Sequence, residues 1–317
     1  MIECYLSFKI GIAFSKIMLC FAYLVYSLLP SICFILTIKF EKTNLKKSLN
    51  RSFKSHTNAN YFMKQMKFYL LIFIYLFSLQ VKAQDNYEIQ VYGSETLEKG
   101  KTMIELHTNY TLKGSREIID GVFPTNHIAH QTIEITHGFT PWFEVGFYLF
   151  NAIGNNSRTA YVGSHIRPRV AAPESWHWPV GLSLSAEFGF QKKEYSANTS
   201  TLEIRPIIDK KWNALYLAFN PVLGKSFAGP DANHGLIFSP SAKISYDVSK
   251  AVGLGMEYYG STGPVFHFDN FIQQQHQIFA VTDLNFNPVW EFNAGIGYGF
   301  TESTDKTIFK IILGRKF

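Results

Sequence analysis

From Lys101 onward the chain alternates. Trp290, Phe292, Ala294, Ile296, Tyr298 and Phe300 fall on one parity, and Glu291, Asn293, Gly295, Gly297 and Gly299 on the other. Val180 to Phe190 repeats the pattern, with Leu182, Leu184, Ala186 and Phe188 opposing Gly181, Ser183, Ser185, Glu187 and Gly189. Phe238 to Val248 sets Ala242, Ile244 and Tyr246 against Ser241, Lys243 and Ser245. A period of two is the signature of a strand whose faces meet different surroundings. No sustained helical period interrupts it. About twelve such segments follow one another, beginning near Lys101, His127, Trp142, Arg158, Pro179, Thr199, Asn213, Gly235, Ala251, Gln275, Trp290 and Lys306. Each is roughly nine to thirteen residues, the length a tilted strand needs to cross a bilayer.

The connections alternate too. After even strands come short turns such as Gly138–Pro141, Asp209–Lys211, Asp247–Lys250 and Asn287-Pro288, with Ala171–Trp178 somewhat longer. After odd strands come mostly longer polar stretches: Lys113–Asn126, Gly154–Ser157, Lys192–Asn198, Gly224–His234 and Ser261–Gln274. Short turns at one end and long loops at the other are how outer-membrane barrels are built. Trp142, Trp176, Trp178, Trp212 and Trp290 all sit at or beside the short turns, where an interfacial aromatic girdle belongs. The last strand places Phe309, Ile311, Leu313 and Phe317 on one face and ends on an aromatic, like the terminal signal read by the barrel-assembly machinery. The fold class expected is all-β: a transmembrane antiparallel up-and-down barrel of about twelve strands over 101–317. An even strand count puts both termini on the short-turn, periplasmic side.

The alternative is a soluble twelve-stranded sandwich with its apolar face inside. The polar parity argues against it, because it carries Glu105, His107, His130, Glu134, Glu144, His165, Arg167, Arg169, Glu187, Glu203, Arg205, Lys243, Glu257, Asp283 and Glu291. A sandwich core could not bury so many charges unpaired. A lumen accommodates them, so these residues are the candidate pore lining.

Ahead of the barrel, Met63 to Ala83 reads as a signal peptide: Lys64 and Lys67, an apolar run from Phe68 to Leu79, and Val81-Lys82-Ala83 before a cut between Ala83 and Gln84. The chain is thus an exported one, bound for the outer membrane of a Gram-negative cell. Residues 1–62 read as an over-extended N-terminus, with Met63 or Met66 as the true initiator; a membrane-anchor segment at Ile17–Ile38 is the other reading. Residues 84–100 precede the first strand and are positioned to thread the barrel as a plug, with Glu88, Glu95 and Glu98 meeting lumen arginines.

Charge follows the same division. Residues 1–84 carry a net charge of +9 and the remainder −3, so the basic pI of about 9.0 belongs to the leader. It therefore gives no reason to expect nucleic-acid binding. All three cysteines, Cys4, Cys20 and Cys33, precede the cut, which leaves the mature chain without thiol chemistry.

No catalytic, cofactor or metal site is expected. Gly295, Gly297 and Gly299 match strand alternation, not a dinucleotide loop. His107, His130, Glu105 and Glu134 lie near one another in height and read as a hydrogen-bonded network, since a metal needs three or four converging ligands. A lipid-cleaving enzyme requires a Ser beside a His on the lipid face; Ser164 faces out while His165 faces in.

With strands and polar face in hand, the chain resembles the outer-membrane proteins grouped under the MetA pathway of phenol degradation, of a Bacteroidetes type. The resembling pieces are Ser94–Gly100, Thr132–Thr140, Trp142–Val145, Trp178–Leu182 and the late Gly-rich hairpin. That resemblance implies a barrel with a transport role and supplies no catalytic residues.

Twelve strands fall between the filled eight-stranded barrel and the wide porins. Lumen glycines such as Gly163, Gly189, Gly255 and Gly297 suit a narrow pore; Tyr148, Phe150, Tyr259 and Phe279 would fill it. The function expected is a narrow channel for small-molecule solutes, seated in outer-membrane lipid. The alternative is a closed barrel acting through loops such as Ser261–Gln274, whose Phe266, Phe268 and Phe271 either stay exposed or fold inward to constrict the mouth. Side chains of both signs leave the ion preference open.

Overall fold

The computed structural model describes residues 86–154 and 159–317. The signal peptide, its Ala83/Gln84 cut and the 1–62 leader lie outside the described residues.

Twelve strands form a closed antiparallel barrel in which each pairs with its sequence neighbours and the last pairs with the first. They are β1 (Thr102–Lys113), β2 (Ile128–Thr140), β3 (Phe143–Ile153), β4 (Thr159–Ala171), β5 (Gly181–Gln191), β6 (Ser200–Trp212), β7 (Leu215–Ala228), β8 (Ile237–Asp247), β9 (Val252–Ser261), β10 (Gln275–Leu284), β11 (Trp290–Gly299) and β12 (Thr307–Lys316). Every strand begins within two residues of the position its alternation predicts. The seam between β1 and β12 is finished by Phe317, whose amide donates to the Thr102 carbonyl at 2.8 Å and whose carbonyl accepts from the Thr102 amide at 3.3 Å. Among the described residues no helix is long and apolar enough to cross a membrane; the crossing elements are strands.

The distribution of side chains is inverted relative to a soluble domain. Ile104, Leu106, Ile133, Phe147, Ile166, Leu184, Phe188, Phe219, Ile296, Phe309 and Ile311 point outward and are exposed. Their inward neighbours include the buried polar residues Glu105, Thr132, Glu134, Arg167, Ser183, Ser185, Glu187, Asn220 and Lys310. Lipid on the outside makes this arrangement stable. All five tryptophans are exposed near the short-turn end, and Arg315 stacks on Trp290 (5.2 Å) and Phe317 (4.9 Å), keeping its charge at the interface.

The long loop between β9 and β10 does not constrict the mouth. Phe266 is 93% exposed, and Phe268 and Phe271 are exposed beside it. The loop is pinned outward against β8: the Val265 amide donates to the Leu236 carbonyl (2.7 Å) and the Phe238 amide to the Gly263 carbonyl (3.0 Å).

Candidate functional site: the barrel lumen

Parity places the polar residues of every strand on the inner wall, and the register decides which of them meet. Glu144 on β3 stands directly opposite Arg169 on β4. The Arg169 guanidinium reaches the Glu144 carboxylate at 2.7 Å, and Arg167 reaches it at 3.3 Å. Arg167 also pairs with Glu134 at 2.6 Å and donates to the Tyr148 hydroxyl. This large cation is only 2% exposed. Its room comes from Gly146, where an added Cβ would lie 3.1 Å from the guanidinium.

A second group lies across the barrel. Lys243 on β8 bonds Asp283 at 2.8 Å and Glu257 at 3.3 Å, and Lys310 on β12 also bonds Glu257. Asn293 donates to Asp283 at 2.7 Å, and the Tyr259 hydroxyl to Glu257 at 2.6 Å. Between the groups, Arg205 on β6 pairs with Glu203 at 2.9 Å. His165 on β4 meets Glu187 on β5 at 2.6 Å. The hydroxyl of Ser164, on the opposite face of β4, pairs with Tyr161 at 2.6 Å. Breaking a buried pair by removing one partner typically costs about 3–5 kcal/mol, so these groups hold one another in place.

Through this polar wall runs the segment 86–100. It makes no strand pairing and is held by side chains. Thr132 donates to the Tyr87 carbonyl (2.6 Å), Lys310 to the Ile89 carbonyl (3.1 Å), and Asn220 to the Tyr92 carbonyl (3.0 Å). The Asn220 amide oxygen accepts from the Tyr92 amide (2.8 Å). Arg169 donates to the carbonyls of Gly93 (3.0 Å) and Glu95 (2.6 Å). Asp209 accepts from the Ser94 hydroxyl (2.6 Å), and Glu144 from the Leu97 amide (2.7 Å).

Apolar contacts anchor the same segment at two points. Ile89 and Val91 pack with Ala218, Tyr259, Phe279, Val281 and Ile308. Tyr87 packs with Tyr148, Phe150, Ala152 and Val162. Between them the Tyr92 ring lies beneath Arg167 (4.9 Å) and Arg205 (4.8 Å), its hydroxyl donating to Glu88 at 2.5 Å. Glu88 in turn pairs with Arg205 at 3.1 Å. Glu95 meets Arg169 through its carbonyl, with its side chain exposed, and Glu98 is exposed as well.

Two expectations are overturned by this path. Asn86 lies at the long-loop end, donating to Asp305 (2.6 Å) and accepting from Asn109 (2.8 Å). The start of the described chain is therefore opposite the end that strand count assigned to it, because the segment crosses the lumen before β1 crosses back. The glycines, further, do not widen a pore. A Cβ on Gly297 would fall 2.4 Å from the Phe279 ring, and one on Gly189 2.1 Å from His165, so neighbouring side chains already fill these notches.

The remaining candidates gather on β1 and β2. Glu105 stands opposite Glu134, and the His107 ring lies between them. His130, four residues earlier on β2, instead lies edge-on to Tyr87 at 4.9 Å. Glu291 on β11 shares Gly314 of β12 as cross-strand neighbour with Glu105. Sequence reasoning missed Lys310, Asp209, Asn220 and Asp305. Lys310 falls between outward Phe309 and Ile311, so parity alone would have found it; Asp209 was absorbed into a turn that β6 extends through.

No protein-family profile matches the chain, and no curated protein matches it in sequence. Solved structures resemble it in shape. An outer-membrane channel from Pseudomonas putida F1 is 9% identical, covering 73% of this chain and 100% of its own, with a TM-score of 0.51. The KdgM porin is 12% identical over 68% of this chain and 99% of its own, with a TM-score of 0.45. The NanC porin is 9% identical over 68% and 98%, with a TM-score of 0.46. Identity this low carries the fold alone, and that fold is the closed twelve-stranded barrel of outer-membrane proteins.

Proposed function

We propose that the protein is an outer-membrane channel for small solutes whose lumen is closed at rest by its own residues 86–99. The observation that carries this reading is the pairing of a largely polar inner wall, broken by two apolar patches, with an occupant that belongs to no strand ladder. An eight-stranded wall can be filled by its own side chains; this twelve-stranded one is filled by a segment that lies outside the ladders. The finer kinship with the MetA-pathway group belongs to the same reading and rests on Ser94–Gly100 and the other segments that resemble it.

With the segment removed, wall carboxylates (Glu105, Glu134, Glu144, Glu187, Glu203, Asp209, Glu257, Asp283, Glu291) outnumber the cations (Arg167, Arg169, Arg205, Lys243, Lys310). A pore of that balance prefers cations. Reversal potentials in a salt gradient test it on the barrel lacking 86–99. Glu144→Gln is expected to move the potential toward anions, and the double change Arg167→Gln with Arg169→Gln toward cations. A potential indifferent to both changes would remove these side chains from the conducting path.

The same reading places the chain in the outer membrane, delivered by the barrel-assembly machinery through its terminal aromatic. Phe317→Ser is expected to impair assembly far more than Lys316→Ser, with loss of roughly 1.5–3 kcal/mol of apolar transfer as well as recognition. Heat-modifiable mobility on gels reports it; equal mobility for the two variants would contradict it. One observation favours a second reading, a surface-interaction role: Phe266, Phe268 and Phe271 are exposed together on one pinned loop. A barrel that never conducts once emptied would leave that reading standing.

A further inference from the structure

Lys and Arg pair with five of the nine wall carboxylates. Glu187 is held by His165 and Asp209 by Ser94 and Tyr216, while Glu291, like Glu105, has no Lys or Arg ion pair among the described residues. Arg167 and Arg169 serve Glu134 and Glu144, Arg205 serves Glu88 and Glu203, and Lys243 and Lys310 serve Glu257 and Asp283. Glu105 faces Glu134 directly across the β1–β2 pair, and like charges so placed repel.

Between the two carboxylates stands His107. Its Nε2 is 3.4 Å from Glu134 Oε2 and 4.0 Å from Glu105 Oε1, and one ligand atom from each of the three lies within 4.8 Å of the others. Ligands at about 2.1 Å around a tetrahedral ion sit about 3.4 Å apart, so the spacing fits an ion after small rotamer adjustments. The side chains of His107, Glu134 and Glu105 are 0%, 1% and 9% exposed. Neither ring nitrogen of His107 nor Glu134 Oε2 has a hydrogen-bond partner among the described residues. Buried polar atoms left in that condition are costly and ask for an explanation.

The surroundings aim these atoms. Glu134 Oε1 is held by Arg167 at 2.6 Å and by the Thr136 hydroxyl at 2.8 Å, which turns Oε2 toward His107. Support of the far oxygen by neighbouring donors is typical of ligating carboxylates. Glu291 approaches over the same notch, since Gly314 lies between it and Glu105; a Cβ there would come 2.9 Å from Glu105 Cγ and 3.3 Å from Glu291 Cβ. The Met103 methyl, 2.5 Å from the same position, fills the notch between the two carboxylates.

We propose that Glu105, His107 and Glu134 form a binding site for a first-row divalent transition-metal ion on the lumen wall. The imidazole selects this class over magnesium and calcium, which take oxygen ligands. Such an ion would relieve the Glu105–Glu134 repulsion and tie β1 to β2 beside the β1–β12 seam. The site is independent of whether the barrel conducts.

Isothermal titration of the chelator-stripped, detergent-solubilised full-length barrel with Zn²⁺ tests the proposal. One ion per chain is expected. His107→Gln should weaken binding at least tenfold, and Glu105→Gln likewise, while His137→Gln, on the outer face beside Thr102, should leave it unchanged. Assembly of each variant is checked by heat-modifiable mobility; should His107→Gln fail to assemble, Glu105→Gln decides the same point. Absence of stoichiometric Zn²⁺ binding by the parent barrel, or parent-like affinity in the assembled His107 or Glu105 variant, would overturn the site.

Discussion

Replacing Arg167 with Leu is expected to cost the barrel about 3–5 kcal/mol of stability. Arg167 is buried and bonds Glu134, Glu144 and the Tyr148 hydroxyl while stacking on Tyr92. Its removal leaves Glu134 facing Glu105 with no guanidinium bonded to either carboxylate. Glu144 suffers less, because Arg169 remains at 2.7 Å. Removing both members of a buried pair is far milder than removing one, so Arg167→Leu combined with Glu134→Leu should recover much of the loss. Denaturant midpoints in detergent, followed by tryptophan fluorescence, measure both. A single-variant loss below about 1 kcal/mol, the range of exposed surface pairs, would mean that the cluster is water-filled and loosely held.

Tyr92→Ala should release the lumen segment without unmaking the barrel. The ring fills the space between Arg167, Arg169 and Arg205, and its hydroxyl bridges Glu88 and Tyr148. Truncating a buried aromatic costs about 3–5 kcal/mol. Here the cost falls on docking, since residue 92 belongs to no strand pair and the β1–β12 and β1–β2 ladders are untouched. At 1.4 kcal/mol per tenfold change in an equilibrium, the undocked population should rise by roughly a hundredfold or more. The full-length variant should therefore show frequent current openings with an unchanged heat-modifiable band. An opening frequency equal to that of the parent would show that Tyr92 contributes nothing to closure.

What could be read from the sequence was whatever repeats along a strand. Alternation from Trp290 to Phe300 or Val180 to Phe190 has one cause, lipid on one side and polar lumen on the other, so parity fixed both the strands and their facing. It also put Glu144, Arg167 and Arg169 on the inner face of β3 and β4, and the register of that pair then set Glu144 opposite Arg169. The lumen segment was legible only as a candidate plug. Asn86 to Gly100 shows no period, since its side chains meet a different partner at each step: Arg205 for Glu88, an apolar pocket for Ile89, Asp209 for Ser94. Its direction of travel followed from none of these residues singly. The meeting of Glu105, His107 and Glu134 depended on the β1–β2 register, which the long 114–127 connection does not set. The outward set of Phe266 depended on hydrogen bonds to Leu236 and Phe238, invisible to any local pattern.

The central claim is that residues 86–99 close a polar path through the barrel, and single-channel recording in planar bilayers reaches it most directly. Deleting Asn86–Lys99 removes Ile89, Val91 and Tyr92 from the lumen but none of the residues that pair between strands. The full-length barrel should be silent or nearly so, and the deleted barrel should show discrete, cation-preferring steps. A deleted barrel that stays silent while keeping its heat-modifiable fold, or a full-length barrel that conducts equally well, would contradict the account.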